Sequence, residues 1–192
     1  MRVRAEMKYI QIAVLVIATA IYAGLKYLPF SGNASATDDL VTVSRVIDGD
    51  TIELSNAGKV RLIGVDTPEV HYSDKLVRDA GKNGKDIKTI QALGRKASAH
   101  TKGLCLGRKV RLEFDVEKRD RYGRLLAYVY LEDGTFLNAR IIEDGYGSVL
   151  TVPPNVKYAE LLLKAERRAR DSGSGLWNES PDIMSMAGRN KR

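Results

Sequence analysis

The stretch VIDGDTIEL, Val46 to Leu54, sets an Asp-Gly pair between two short apolar-leaning runs, the pattern of a tight hairpin joining two strands. Asp48-Gly49 is expected to supply the positive φ angles of a two-residue loop. A second stretch, YLEDGTFLN from Tyr130 to Asn138, makes the same kind of turn with Asp133-Gly134 and carries no further acid. Asp50 is therefore surplus to its turn. Alone it reads as a solvated carboxylate at a strand start, so its meaning depends on what the rest of the chain brings to it.

Working outward, short apolar-rich runs predict strands at Val41 to Val46, Thr51 to Leu54, Val60 to Val65, Val110 to Val116 and Arg124 to Leu131, with a further short one at Thr135 to Leu137. Helical spacing occupies Ile87 to Leu104, Ala139 to Glu143 and Val156 to Arg170, the last with Leu161, Leu162, Ala165 and Ala169 on one side. Five or six short strands with helices, and no alternating βαβ order, predict a β-barrel with helices, an α+β fold. Glu69 to Ile87 brackets VHYSDKLVRDAGKNGKD, read as a long surface loop beside the site.

In VRLIGVDTPEV (Val60 to Val70), Arg61, Asp66 (sixteen residues after Asp50) and Glu69 sit on or just beyond a strand. Arg61 and Asp66 are five residues apart, which in a regular strand sends them to opposite faces. For both to serve one site the strand must bend, and Gly64 is the candidate for the kink. In EKRDRYGRLLAYVY, Glu117 to Tyr130, a tight turn at Asp120-Arg121-Tyr122-Gly123 delivers Arg124 to the next strand.

Taken in this order, VIDGDTIEL, RLIGVDTPE and DRYGRLLAYVY resemble the staphylococcal nuclease (thermonuclease) family over roughly residues 40–178, and LGRKASAHTKGL and GLWNES extend the match. The resemblance implies an OB-fold barrel of five strands plus three helices. It implies a Ca²⁺ ion held by Asp50, Asp66 and the backbone carbonyl of Thr67. It aligns Glu69 with the glutamate that positions or activates the attacking water, Arg61 and Arg124 with the arginines that grip the phosphate, and Arg121 and Tyr122 with residues near the terminal phosphate of the substrate. The implied function is a Ca²⁺-dependent endonuclease, a phosphodiesterase hydrolysing DNA and RNA, acting as a monomer. The alternative is a catalytically inactive OB module that binds nucleic acid or protein; such a domain is expected to lack some of the acids or arginines, and here Asp50, Arg61, Asp66, Glu69 and Arg124 all stand.

The residue types suit the chemistry. Calcium takes six to eight oxygens, so two carboxylates and a carbonyl leave room for water and a phosphate oxygen. Three carboxylates, one divalent ion and two guanidinium groups sum to one positive charge, which balances one phosphodiester. Arginine grips phosphate through a planar fork and stays charged at any working pH. Departing from the family pattern, GSVLTVPPN (Gly147 to Asn155) puts Leu150 and Val152 where the staphylococcal enzyme presents tyrosines to the substrate base.

Composition adds bounds. The chain of 192 residues has 31 basic and 24 acidic residues, a net charge of +7, compatible with a polyanionic partner. Cys105 is the only cysteine, so neither an internal disulfide nor a zinc cluster can form. His71 and His100, the only histidines, are read as exposed. From Tyr9 to Leu25 run 17 uncharged residues, preceded by Arg2, Arg4 and Lys8 and followed by Lys26. As a helix they span about 25 Å, the short end for a membrane crossing. The expected organisation is a basic flank at 1–8, a transmembrane anchor or signal peptide at 9–25, a linker at 26–39, the nuclease-like domain at 40–178 and a flexible tail at 179–192. The positive flank predicts an extracytoplasmic, membrane-anchored domain, with secretion after cleavage near Ala36 as the alternative.

Overall fold

The computed structural model describes residues 40–70, 81 and 87–186. The expectations for 1–39, for His71 and the surface loop over 71–80 and 82–86, and for 187–192 lie outside the described residues. Among the described residues no helix is long and apolar enough to cross a membrane.

Strands β1 (Val41–Asp48), β2 (Thr51–Leu54), β3 (Gly58–Leu62), β5 (Lys109–Glu113) and β6 (Leu125–Leu131) close into a barrel in the order β1-β2-β3-β6-β5. All neighbours are antiparallel except β3 and β6, which run parallel with Val60 opposite Leu125. The expected five-stranded barrel with helices is thus the observed fold. Inward positions such as Val43, Ile52, Val60, Leu62, Val110, Leu112, Ala127 and Val129 fill the core, following the period of two.

The expected strand over Val60 to Val65 is in fact two. β3 ends at Leu62, and after the break β4 (Gly64–Asp66) leaves the barrel to pair with β7 (Ser148–Leu150) in a separate two-stranded sheet. The break falls at Gly64, whose φ is +80°, and a Cβ built there would lie 2.3 Å from Leu162 Cδ1. Both the backbone conformation and the close approach call for glycine.

Helices α1 (Ile87–Cys105), α2 (Leu137–Glu143) and α3 (Ala159–Asp171) match the three expected ones, and two short helices, α4 (Leu176–Glu179) and α5 (Pro181–Met186), follow. From α2 and α3, Leu137, Ile141, Ile142, Leu162 and Ala165 pack on the barrel core. A second apolar cluster joins Ile90, Leu93 and Ala97 of α1 to Ala169, Leu176, Trp177, Ile183 and Met184. Over its described part, residues 179–186, the tail expected to be flexible is instead packed, because α5 buries Ile183 and Met184 beside Trp177. The strand expected at Thr135 to Leu137 is likewise absent: Phe136 makes one bridge to Tyr130, and Leu137 already begins α2.

One turn forms for a different reason than the sequence implied. In the hairpin joining β1 and β2, Asp48 pairs with Thr51, so the loop residues are Gly49 and Asp50. Gly49 does not have a positive φ, unlike Gly134 at +83° in the other Asp-Gly turn. Its need for glycine is steric, since an added Cβ would meet Thr67 Cγ2 at 2.8 Å and Ala97 Cβ at 3.0 Å. The loop is therefore pressed against the residues after β4 and against α1, and this contact puts Asp50 beside Asp66.

Candidate active site

Asp50, Asp66 and Thr67 are buried polar residues where the β1–β2 loop meets the end of β4. Each arrives by a local device already described: Asp50 by the two-residue loop, and Asp66 by the kink at Gly64. The Asp50 carboxylate is held from several sides. Its Oδ1 accepts from Thr51 Oγ1 at 3.0 Å, and its Oδ2 accepts from the Thr67 amide at 3.1 Å and the Thr67 hydroxyl at 3.2 Å. Asp66 is fixed through its backbone, with Ser148 Oγ of β7 donating to its carbonyl at 3.4 Å.

Arg61 of β3 lies between the two acids. It forms a salt bridge with Asp50, and its Nη2 is 3.2 Å from Asp66 Oδ1. Nη1 also donates to the Asp50 carbonyl at 3.3 Å. Burial pulls the Arg61 pKa down from its ordinary value; Asp66 opposes that, Arg124 adds to it, and Glu69 opposes it. Asp66, Arg124 and Glu69 thus each lie within electrostatic reach of Arg61. An arginine beside two carboxylates stays charged despite its burial.

Arg124 enters from the turn before β6. Gly123 takes a φ of +79°, and Asp120 Oδ1 accepts the amides of Tyr122 at 2.9 Å and Arg124 at 3.0 Å, closing the turn as expected. The Arg124 side chain is paired with Asp120, with Nε 2.7 Å and Nη2 2.6 Å from Oδ2. Burial alone would raise the Asp120 pKa, but the hydrogen bonds and charge of Arg124 outweigh it, and the net shift is downward. This partner was not anticipated; the only trace of it in the sequence is the spacing of four residues. Tyr122 is 69% exposed, with the Arg121 guanidinium 4.8 Å and the Arg124 guanidinium 5.5 Å from its ring centre. The turn therefore presents two cations around one accessible aromatic face.

The structure brings Asp50, Arg61, Asp66 and Thr67 into direct contact, with Glu69 and Arg124 around them and Arg121 and Tyr122 on the outer turn. His100 is not exposed as expected. It is half-buried, stacked on Tyr146 with ring centres 4.0 Å apart, and its Nε2 is 3.0 Å from Asp144 Oδ2. Cys105 is buried, its thiol pushed up to about 12 chiefly by burial, and plays no part in this chemistry. Two half-expected substrate positions differ from each other: Leu150 is 7% exposed in β7, whereas Val152 is 47% exposed.

Among the described residues no group of three His, Cys, Asp or Glu side chains is placed to hold a metal ion. The donors this chain offers at the site are two carboxylates and a backbone carbonyl, all oxygen, and two buried carboxylates share one guanidinium. That chemistry fits a hard divalent cation, which would offset the remaining negative charge.

Comparison with known proteins agrees with this fold. The pattern of the family described as "Staphylococcal nuclease homologue" matches residues 59–179. Thermonuclease of Staphylococcus intermedius is 38% identical over 180 residues, covering 89% of this chain and 99% of that protein. Thermonuclease of Staphylococcus hyicus is 34% identical, covering 86% and 95%. Endonuclease YncB of Bacillus subtilis is 37% identical over 145 residues, covering 73% of this chain and 62% of its own. On these grounds the chain belongs to the staphylococcal nuclease family, and it is a nuclease.

Proposed function

We propose that this nuclease is a Ca²⁺-dependent endonuclease that hydrolyses phosphodiester bonds of both DNA and RNA. The observation that carries the reading is the convergence of the Asp50 and Asp66 carboxylates on Arg61, with Glu69 and Arg124 in electrostatic reach. Asp50, Asp66 and the Thr67 carbonyl would hold the ion. When bound, calcium draws charge from a phosphate oxygen and orders water beside it.

The remaining work belongs to the protein's own residues. Arg61, held in place by two acids, faces the phosphate with a fixed fork, and Arg124 supplies a second cation for the charge that grows on the equatorial oxygens. Each such donor contributes on the order of 10² to 10³ in rate. Glu69 accepts a proton from the attacking water as its oxygen bonds to phosphorus. The bond from phosphorus to the 5′ oxygen breaks, and solvent protonates the leaving alkoxide, because guanidinium is too weak an acid to do so. The products carry 3′-phosphate and 5′-hydroxyl ends, as the family resemblance implies. Arg121 and Tyr122 hold the substrate's outer phosphate.

We further propose that residues 9–25 anchor the chain in a membrane with the nuclease domain outside the cytoplasm, and that it acts as a monomer. The support is the uncharged run after Arg2, Arg4 and Lys8. Release after cleavage near Ala36 is the alternative.

The test is hydrolysis of single-stranded DNA and RNA by the purified chain with Ca²⁺ and with EDTA, with analysis of the product ends. Undiminished activity in EDTA, or 3′-hydroxyl products, overturns the mechanism. Recovery of the chain in high-salt-washed membranes supports the anchor, and an N-terminus at Thr37 refutes it.

A further inference from the structure

Helix α1 touches both halves of the active site. At Gly94 its backbone comes so close to the chain after β4 that an added Cβ would lie 2.7 Å from the Glu69 carbonyl carbon and oxygen and 2.7 Å from the Pro68 oxygen. One turn earlier, Gln91 Nε2 donates to the carbonyl of Val70 at 3.1 Å. Glu69 and the residues on either side of it, Pro68 and Val70, are therefore seated directly on the helix. Seven residues after Gly94, the buried hydroxyl of Thr101 donates to the Gly49 carbonyl at 2.7 Å, and Ala97 abuts the same glycine. That contact ties α1 to the loop that carries Asp50.

The helix is thus a rigid spacer between the Asp50 loop and the Glu69 segment. Seven residues of helix correspond to about 10 Å, a length that a helix holds far more firmly than a loop does. Because Thr101 and Ala97 pin the helix at one end, it cannot slide to relieve pressure at the other. A methyl group at position 94 must instead displace the Pro68 and Glu69 carbonyls. A shift of a few tenths of an ångström in a general base moves it off the line to its water.

We propose that Gly94 and Gln91 are positioning residues of the hydrolytic reaction, setting the place of Glu69 relative to Asp50 by the close seating of the Pro68–Val70 backbone on helix α1. The proposal rests on the role of Glu69 as the base. Gly94 is the less expected of the two, since glycine in the middle of a helix is otherwise a weak helix former.

The experiment uses the full chain with single-stranded DNA at saturating Ca²⁺, measuring kcat and KM for Gly94→Ala, Gln91→Met, Glu69→Gln, the double variant Gly94→Ala/Glu69→Gln, and Gly103→Ala. Gly103 lies on the same helix with nothing within 4 Å of an added Cβ, so Gly103→Ala controls for helix propensity and should leave kcat unchanged. Gly94→Ala should lower kcat by roughly 10- to 100-fold and Gln91→Met by roughly 3- to 10-fold, each with KM within about twofold. In the Glu69→Gln background the Gly94→Ala loss should shrink to under threefold. If Gly94→Ala does not fold, Gln91→Met, which removes one hydrogen bond from a half-buried side chain, decides the matter. Parental kcat in Gln91→Met, or a Gly94→Ala loss that persists in full without Glu69, overturns the positioning role. Parental kcat in Glu69→Gln itself overturns both the base assignment and the positioning built on it.

Discussion

Arg61 Nη2 lies 3.2 Å from Asp66 Oδ1, although the two residues are five apart on what the sequence reads as one strand. An uninterrupted strand would put them on opposite faces. The contact exists because Gly64 breaks the strand at a φ of +80° and directs β4 out of the barrel.

Gly64→Ala should therefore be among the most damaging small substitutions in the domain. A left-handed alanine costs about 1–2 kcal/mol, and the clash with Leu162 adds a further cost of about 1–3 kcal/mol. A loss of roughly 2–5 kcal/mol in urea unfolding is expected. Combining it with Leu162→Ala should recover about 1 kcal/mol or more relative to the sum of the single changes. Additive losses would mean that Leu162 is not what the methyl meets.

The two buried acids around Arg61 make a second prediction. Removing one member of a buried charge set leaves its partners uncompensated, at a cost of about 3–5 kcal/mol. Arg61→Met should thus lower stability sharply in EDTA, and a cation bound by Asp50 and Asp66 should restore much of it. Thermal unfolding with and without 10 mM Ca²⁺, a concentration chosen to be on the order of tenfold or more above a weak site's dissociation constant, reads this without any assay of activity. A calcium-induced rise in Tm no larger in Arg61→Met than in the parent would argue against those two aspartates as the ligands.

Much of this site was legible because its signals are local. The Asp50 surplus, the need for a bend at Gly64 and the Asp120–Gly123 turn follow from residue spacing within a few positions, and the barrel follows from the succession of short apolar-rich runs that become β1, β2, β3, β5 and β6. What was not legible depends on contacts distant in the chain. Gly49 looks like a turn glycine, yet it is required by Thr67 and Ala97, which no local pattern reveals. β7 is three residues long, too short to show a period, and is a strand only because β4 is turned toward it. Likewise Ile183 and Met184 lie in a polar tail and become core only through Trp177 and its neighbours. His100 looks exposed on a helix wheel until Tyr146 and Asp144 cover it.

Asp120 governs how Arg124 is held, and its titration gives a pH test. Its pKa is lowered from the ordinary 3.8, so its contribution to stability is fully present above that value and is lost as pH falls through the lower folded value. Asp120→Asn should cost about 1 kcal/mol at pH 7. The gap from the parent should stay constant down to about pH 4 and close below it. Unfolding by urea from pH 7 to pH 2.5, a span of roughly the ordinary carboxylate range and below, measures the gap. A difference that grows on acidification would contradict the downward shift.

The last prediction concerns the substrate base. Leu150 is buried and its backbone pairs with Gly64, so a tyrosine there would disturb β7 and the kink rather than add a binding surface. Val152 is different: it is 47% exposed, and its neighbouring loop is braced by Asn155, whose side chain accepts from the Glu117 amide at 2.8 Å and donates to the Glu117 carbonyl at 2.9 Å. An aromatic ring at position 152 would stand on a rigid, accessible support. Stacking contributes about 1–3 kcal/mol per base, so Val152→Tyr should lower KM for a dinucleotide by roughly 5- to 100-fold. Because the base is remote from the reacting phosphorus, the gain applies equally to ground and transition states and kcat should change by less than about twofold. Long polymers should benefit less, since they already draw affinity from many phosphate contacts, and their cleavage should weaken steeply with salt in parent and variant alike. The competing platform is Tyr122, exposed and flanked by Arg121 and Arg124. Tyr122→Leu separates the two: if it raises the dinucleotide KM by tenfold or more while Val152→Tyr leaves KM unchanged, the base stacks on the arginine-flanked turn and not on the loop before Asn155.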